Sequence, residues 1–150
     1  MAAEIFIKEI FKNQILVTSM IALIIAQTIK VIIGVIIQKR FDFRWFMGTG
    51  GMPSAHAAGV TALATSVGMY YGFDSVLFAI SLVFAVIVSF DAQGVRRTTG
   101  RQAVILNKIL DDLYWKKVVN EEKIKEFLGH TPFEVFVGVG LGALIAFLRG

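Results

Sequence analysis

Apolar residues run along this chain in long unbroken stretches that do not alternate, a pattern that predicts helices and no strands. Residues 15–37 form the longest stretch, interrupted by Gln27 and Lys30. At 1.5 Å per residue it makes about 34 Å of helix, enough to cross a bilayer. Residues 55–71 are shorter and rich in Ala and Gly, with Ser and Thr besides, as in a helix that packs closely on other helices. Residues 75–90 are more apolar and end at Asp91. Only Gly72, Phe73 and Asp74 separate these two spans, so they pair as a tight antiparallel hairpin. Residues 132–148 return to the membrane, with Gly138 and Gly142 four apart as a close-packing surface.

Two polar segments complete the pattern. Residues 1–13 carry Glu4, Lys8, Glu9 and Lys12 among Ile and Phe at helical spacing, which predicts a short interfacial helix. The mixed charges and the long apolar run that follows are wrong for a signal peptide. Residues 91–129 are polar and of mixed charge, an aqueous or interfacial helical loop. The expected fold is therefore an all-α polytopic transmembrane bundle in one domain, residues 1–150. It has about four spans, an N-terminal interfacial helix and a cytoplasmic helical loop.

Composition agrees: of 150 residues 56% are hydrophobic and 17% charged, more apolar surface than a soluble core of this size can cover. The absence of cysteine removes thiol nucleophiles, disulfides and cysteine-ligated zinc. Two histidines, His56 and His130, are too few for a three-histidine metal cage, so any histidine chemistry must use these two. The net charge of +4 does not point to nucleic acid, because the basic residues fall in loops beside apolar segments.

Those loops orient the chain. Lys39, Arg40 and Arg44 lie in the first loop, and Arg96, Arg97, Arg101, Lys108, Lys116, Lys117, Lys123 and Lys125 in the third. The Gly72–Asp74 turn has no basic residue and the C-terminus only Arg149. Both basic loops are placed inside, which predicts a multi-pass protein of the cell (inner) membrane with both termini outside. The two loops share a side whatever the span count; the termini depend on it.

Four groups of residues can carry chemistry. Gly50-Gly51-Met52-Pro53-Ser54-Ala55-His56 reads as a helix start, where free amides and a positive dipole end suit an anion. Gly129-His130-Thr131-Pro132-Phe133-Glu134 stands at another loop-to-membrane boundary. If the helix includes His130, Glu134 lies on the same face and can orient the ring as base or nucleophile. Asp91-Ala92-Gln93-Gly94-Val95-Arg96-Arg97 offers paired guanidinium forks suited to phosphate oxygens or to anchoring at the membrane surface. Lys30 is an ionisable group inside an apolar helix, either functional or snorkelling to the interface. The hairpin topology brings His56, Arg96, Arg97 and His130 to one membrane face.

Pro-Ser-Ala-His, followed by a second histidine with an acid four positions later and basic groups between, resembles the type 2 phosphatidic acid phosphatase family and its vanadium haloperoxidase relatives. The longer strings around Gly50–His56, Asp91–Arg97 and Leu128–Pro132 are similar, more specifically, to the divergent branch of small bacterial and plant membrane proteins related to these enzymes. The resemblance covers nearly the whole chain. It implies that His130 attacks phosphorus to give a phosphohistidine, oriented by Glu134, while His56 protonates the leaving alkoxide. Arg96, Arg97 and Lys30 would hold the phosphoryl oxygens, Ser54 would contribute through the helix start, and no metal is needed. The chain departs from the family pattern in four respects: it lacks a Lys-x6-Arg-Pro element, its arginines precede the second histidine by more than thirty positions, Glu replaces Asp, and four spans stand for six.

The expected function is hydrolysis of a phosphomonoester or pyrophosphate of a lipid-soluble alcohol, such as a phospholipid or prenyl phosphate. The alternative is a non-catalytic membrane protein that binds or moves an anionic lipid on the same scaffold, depending on the arginines and not on both histidines. A CDP-alcohol phosphotransferase, suggested by Asp91, Arg96 and the pair Asp111-Asp112, lacks the expected Asp-Gly start and later aspartate spacing. The Ala- and Gly-rich spans can pack within one subunit or between subunits of a homo-oligomer.

Overall fold

The computed structural model describes residues 2–41, 51–113 and 130–150, with the side chains of 93–113 only in part. Five helices occupy these residues: α1 (Ala2–Lys12), α2 (Gln14–Gln38), α3 (Ala55–Tyr71), α4 (Val76–Leu113) and α5 (Pro132–Arg149). There is no strand among the described residues. Arg44, Gly50, Lys116, Lys117, Lys123, Lys125, Leu128 and Gly129 lie outside them.

The helix starts are set by short polar side chains that take up free amides. Asn13 breaks α1 from α2 and its side chain accepts the Leu16 N–H. Ser54 caps α3, accepting from Ala57, and Thr131 caps α5, accepting from Glu134. Between α3 and α4 the chain turns on Gly72, at φ +91°, and the Ser75 hydroxyl accepts the Phe78 N–H. Phe73 folds back over Gly68 and meets Phe78 edge-to-face at 5.0 Å. A side chain at Gly68 would occupy the Phe73 ring, which is why this turn can be so short.

α3 is the hub, packed against α2, α4 and α5. It buries Ala55, Ala57, Ala58, Gly59, Ala62, Ala64, Ser66 and Gly68, a surface of small residues that lets backbones approach. α2 answers with Thr18, Ala22 and Ala26, and the Ser19 hydroxyl donates to the Gly59 carbonyl at 2.9 Å. α5 answers with Gly138 and Gly142, whose Cα atoms lie against the Ser54 and Ala58 carbonyls. The large apolar side chains face outward instead: Ile24, Ile32 and Ile36 on α2, Ile80, Val83 and Ile87 on α4, Phe136 and Leu144 on α5. Small residues inside and bulky apolar ones outside suit a bundle solvated by lipid. α2 and α5 are long and apolar enough to cross a membrane; the apolar part of α4, Val76–Ala92, is shorter.

α4 does not stop at Asp91. It continues to Leu113, because residues 91–113 contain no proline and their two glycines only weaken a helix. The expected span and the first part of the expected helical loop are thus one element. The continuous helix also separates Asp91 from Asp111 by about 30 Å, too far for one metal site, and this removes the basis of the phosphotransferase reading. α1 touches only α2 among the described elements and exposes Ile5, Phe6 and Phe11 beside its charges, as an interfacial helix does.

Helix directions alternate from α2 to α5. Arg149, at the end of α5, donates to Thr18 at 3.2 Å and to Gln14 at 3.3 Å, at the start of α2. At the opposite end, the starts of α3 and α5 meet α2 and the Ala92 turn of α4.

Candidate functional site

That opposite end holds the sequence-predicted residues. His130 immediately precedes the cap of α5 and is 2% exposed. Its Nδ1 lies 3.0 Å from Glu134 Oε2. A carboxylate accepts, so Nδ1 donates to it and Nε2 is the ring nitrogen turned away from Glu134. The same Oε2 accepts the Thr131 N–H at 3.1 Å, while the Glu134 N–H donates back to the Thr131 hydroxyl at 3.3 Å. This capping box fixes the carboxylate, and the carboxylate fixes the imidazole. His130 is therefore not inside the helix; it reaches Glu134 because the cap turns the chain back over the first helical turn.

Two backbone bonds lock this corner to the rest of the bundle. The Ser54 N–H donates to the Glu134 carbonyl at 3.0 Å, joining the starts of α3 and α5. The His130 N–H donates to the Ala92 carbonyl at 3.3 Å, joining α5 to α4. Arg96 and Arg97 follow one turn beyond Ala92 along α4. Ser54 is fully buried, with its hydroxyl accepting from Ala57, so its place is in the cap. His56 sits two residues later in the first turn of α3, on the exposed side. The histidine-modifying reagent diethyl pyrocarbonate should accordingly carbethoxylate His56 about tenfold or more faster than His130, as read by peptide mass spectrometry, since a buried group reacts only through local opening.

Lys30 is half-buried on α2 and its Nζ donates to Gln27 Oε1 at 3.0 Å. Its stem packs on Gly51, where an added Cβ would stand 3.3 Å from Cγ; at φ +86° that position favours glycine in any case. The structure thus gathers Lys30, Gly51, Ser54, Ala92, His130 and Glu134 at one end. Two positive helix ends converge there, a setting that favours an anion. Among the described residues, no three His, Asp or Glu side chains cluster to hold a metal.

Thr131 was missed by the sequence reading although Thr-x-x-Glu before an apolar run is a capping-box pattern. Gln27, three residues before Lys30, had only its helical spacing to signal it. The Ala92 carbonyl had no signal. Thr131→Val should lower stability by about 1 kcal/mol through loss of the cap. Thermal unfolding in detergent reads this effect, and Thr131→Ser should restore it.

The chain matches the Divergent PAP2 family over residues 11–145. It is 45% identical over 150 aligned positions to a protein of Bacillus subtilis (strain 168), the uncharacterized membrane protein YuiD, covering 91% of this chain and 94% of that one. No solved structure matches it.

Proposed function

The chain belongs to the Divergent PAP2 family, and on that premise we propose that it is a metal-independent membrane phosphatase acting on a phosphomonoester or pyrophosphate of a lipid-soluble alcohol. The observation that carries this reading is the buried His130–Glu134 pair at the joined starts of two helices. Glu134 holds the Nδ1 proton, so Nε2 is the nucleophile. At a phosphomonoester the N–P bond forms as the P–O bond to the alkoxide breaks, in line, and His56 gives the departing alkoxide its proton; at a pyrophosphate the bridging P–O bond breaks and the departing group is the remaining phosphomonoester. Water then attacks phosphorus, its proton passing to His56, and the P–N bond breaks to release phosphate. Arg96, Arg97 and Lys30 neutralise the phosphoryl oxygens, and Ser54 keeps the start of α3 against the site.

The corresponding topology is four crossings, α2, α3, Val76–Ala92 of α4, and α5, with the site on the cytoplasmic side where Lys and Arg concentrate. At about 25 Å each, α3 and that part of α4 suit the middle of a packed bundle and a locally thinned bilayer. Burial of His130 favours one rival, a protein that binds or moves an anionic lipid without turnover. Phosphate release by purified protein from phosphatidate, prenyl pyrophosphate and phosphatidylglycerol phosphate, with EDTA present, separates the two. Release from at least one substrate, lost in His130→Ala and His56→Ala, supports the phosphatase. No release from any of them, with lipid binding that depends on Arg96 and Arg97, supports the rival.

A further inference from the structure

A groove of about 390 Å³ runs between α3, α4 and α5, within the size range of small-molecule sites. Its walls are Ala85, Val86 and Phe90 of α4 with Val135 and Val139 of α5, and among the described residues its polar lining comes from Thr61, Thr65 and Ser89. It exists because α4 and α5 touch each other less than any other neighbouring helices of the described bundle. Its upper end adjoins the site: Val135 follows Glu134, and Phe90 lies two residues before Ala92, whose carbonyl holds the His130 amide. Its lower end is Phe73, Phe78 and Phe147, the first two a braced edge-to-face pair.

Phe78 lies about 21 Å along α4 from Ala92, and Phe147 about 20 Å along α5 from Glu134. Half the hydrocarbon thickness of a bilayer is about 15 Å. The groove therefore descends from an anion-favouring corner to just past the depth of a single leaflet, its lining mostly apolar. We infer that it holds the hydrocarbon chain of a phosphate-headed amphiphile whose headgroup lies at the His130 end, with Phe73, Phe78 and Phe147 as the floor that limits chain length. This rests on the proposed phosphate site but not on turnover there. A phosphate ester with one long chain fits this shape, whereas a short soluble phosphate leaves it empty.

The test is photo-crosslinking with hexadecyl phosphate bearing a diazirine at its last carbon, on the full chain in detergent micelles. Label is expected on the peptides containing Phe78 and Phe147. Excess hexadecyl phosphate should suppress it about tenfold more effectively than hexadecanol at equal micellar fraction, a difference of about 1.4 kcal/mol. Ala85→Trp, which fills the groove, should remove that label. Val86→Trp does the same from an exposed position that accepts a larger side chain without core strain, so a misfolded Ala85→Trp protein would not end the test. Label spread evenly onto Ile24 and Ile36 of α2, equal suppression by hexadecanol, indifference to both substitutions, or crosslinks to a second copy of the chain through this face would each overturn the inference. Groove labelling as expected in a protein that releases no phosphate upholds the groove and removes the phosphatase reading; phosphate release with even labelling does the reverse.

Discussion

His130→Ala is expected to reduce phosphate release by about 10⁴-fold or more, the scale on which an enzyme loses its nucleophile. On the proposed mechanism His130 is the attacking group, and its setting suits that role. The imidazole is oriented from Nδ1 by Glu134 Oε2 at 3.0 Å, and that oxygen is itself fixed by the Thr131 amide. Glu134→Gln tests the orientation separately from the nucleophile. The amide can still occupy the cap, but its NH2 end favours the wrong tautomer, and analogous changes in a histidine–carboxylate pair cost about 10⁴-fold. If both variants keep their unfolding midpoints near wild type while activity falls, the loss belongs to chemistry and not to folding. Because His130 is buried and bonded to Ala92 through its backbone, His130→Asn is the better-tolerated companion.

Gly142→Leu is expected to be the most destabilising single change in the described bundle. A Cβ at this position would fall onto the Ala58 carbonyl oxygen, which is backbone and cannot turn aside. α3 and α5 must then separate, at a cost at or beyond the upper end of the roughly 1–3 kcal/mol of core overpacking. Gly138 repeats the arrangement one turn nearer the site, where an added Cβ would stand 2.5 Å from the Ser54 carbonyl oxygen. Gly140, between them, faces open space with nothing within 4 Å. Gly140→Ala should therefore leave the midpoint unchanged or raise it, by up to about 1 kcal/mol of helix propensity. Thermal unfolding in detergent of Gly142→Leu, Gly138→Leu and Gly140→Ala reads the contrast directly, and equal loss at all three positions would refute the close-packing account.

Much of this architecture was legible in the chain. The run over residues 15–37 predicts α2 because only a helix can carry so long an apolar stretch, and Gly138 with Gly142 predicts a close approach because nothing else needs glycine at that spacing. The Gly72–Asp74 turn was legible for its brevity. Less visible was the continuity of α4, since Asp91 looks like the end of a span when it is only a point where one helix leaves the apolar layer. The His130–Glu134 contact was expected from helical spacing and is made by a cap instead. What joins the corner could not be read at all. The Ser54–Glu134 and His130–Ala92 bonds use backbone groups that every residue possesses, so no side-chain pattern announces them. The groove beside the site was equally hidden, because it arises from where two helices fail to meet.

The most direct measurement of the central claim is detection of the covalent intermediate. Wild-type protein, mixed with any lipid phosphate of the panel from which it releases phosphate and quenched in alkali within a turnover, should carry an acid-labile phosphoryl group on the peptide containing His130, and His130→Ala should carry none. Phosphate release by wild type with no label on that peptide under the same quench, or with label on another residue, would contradict the account.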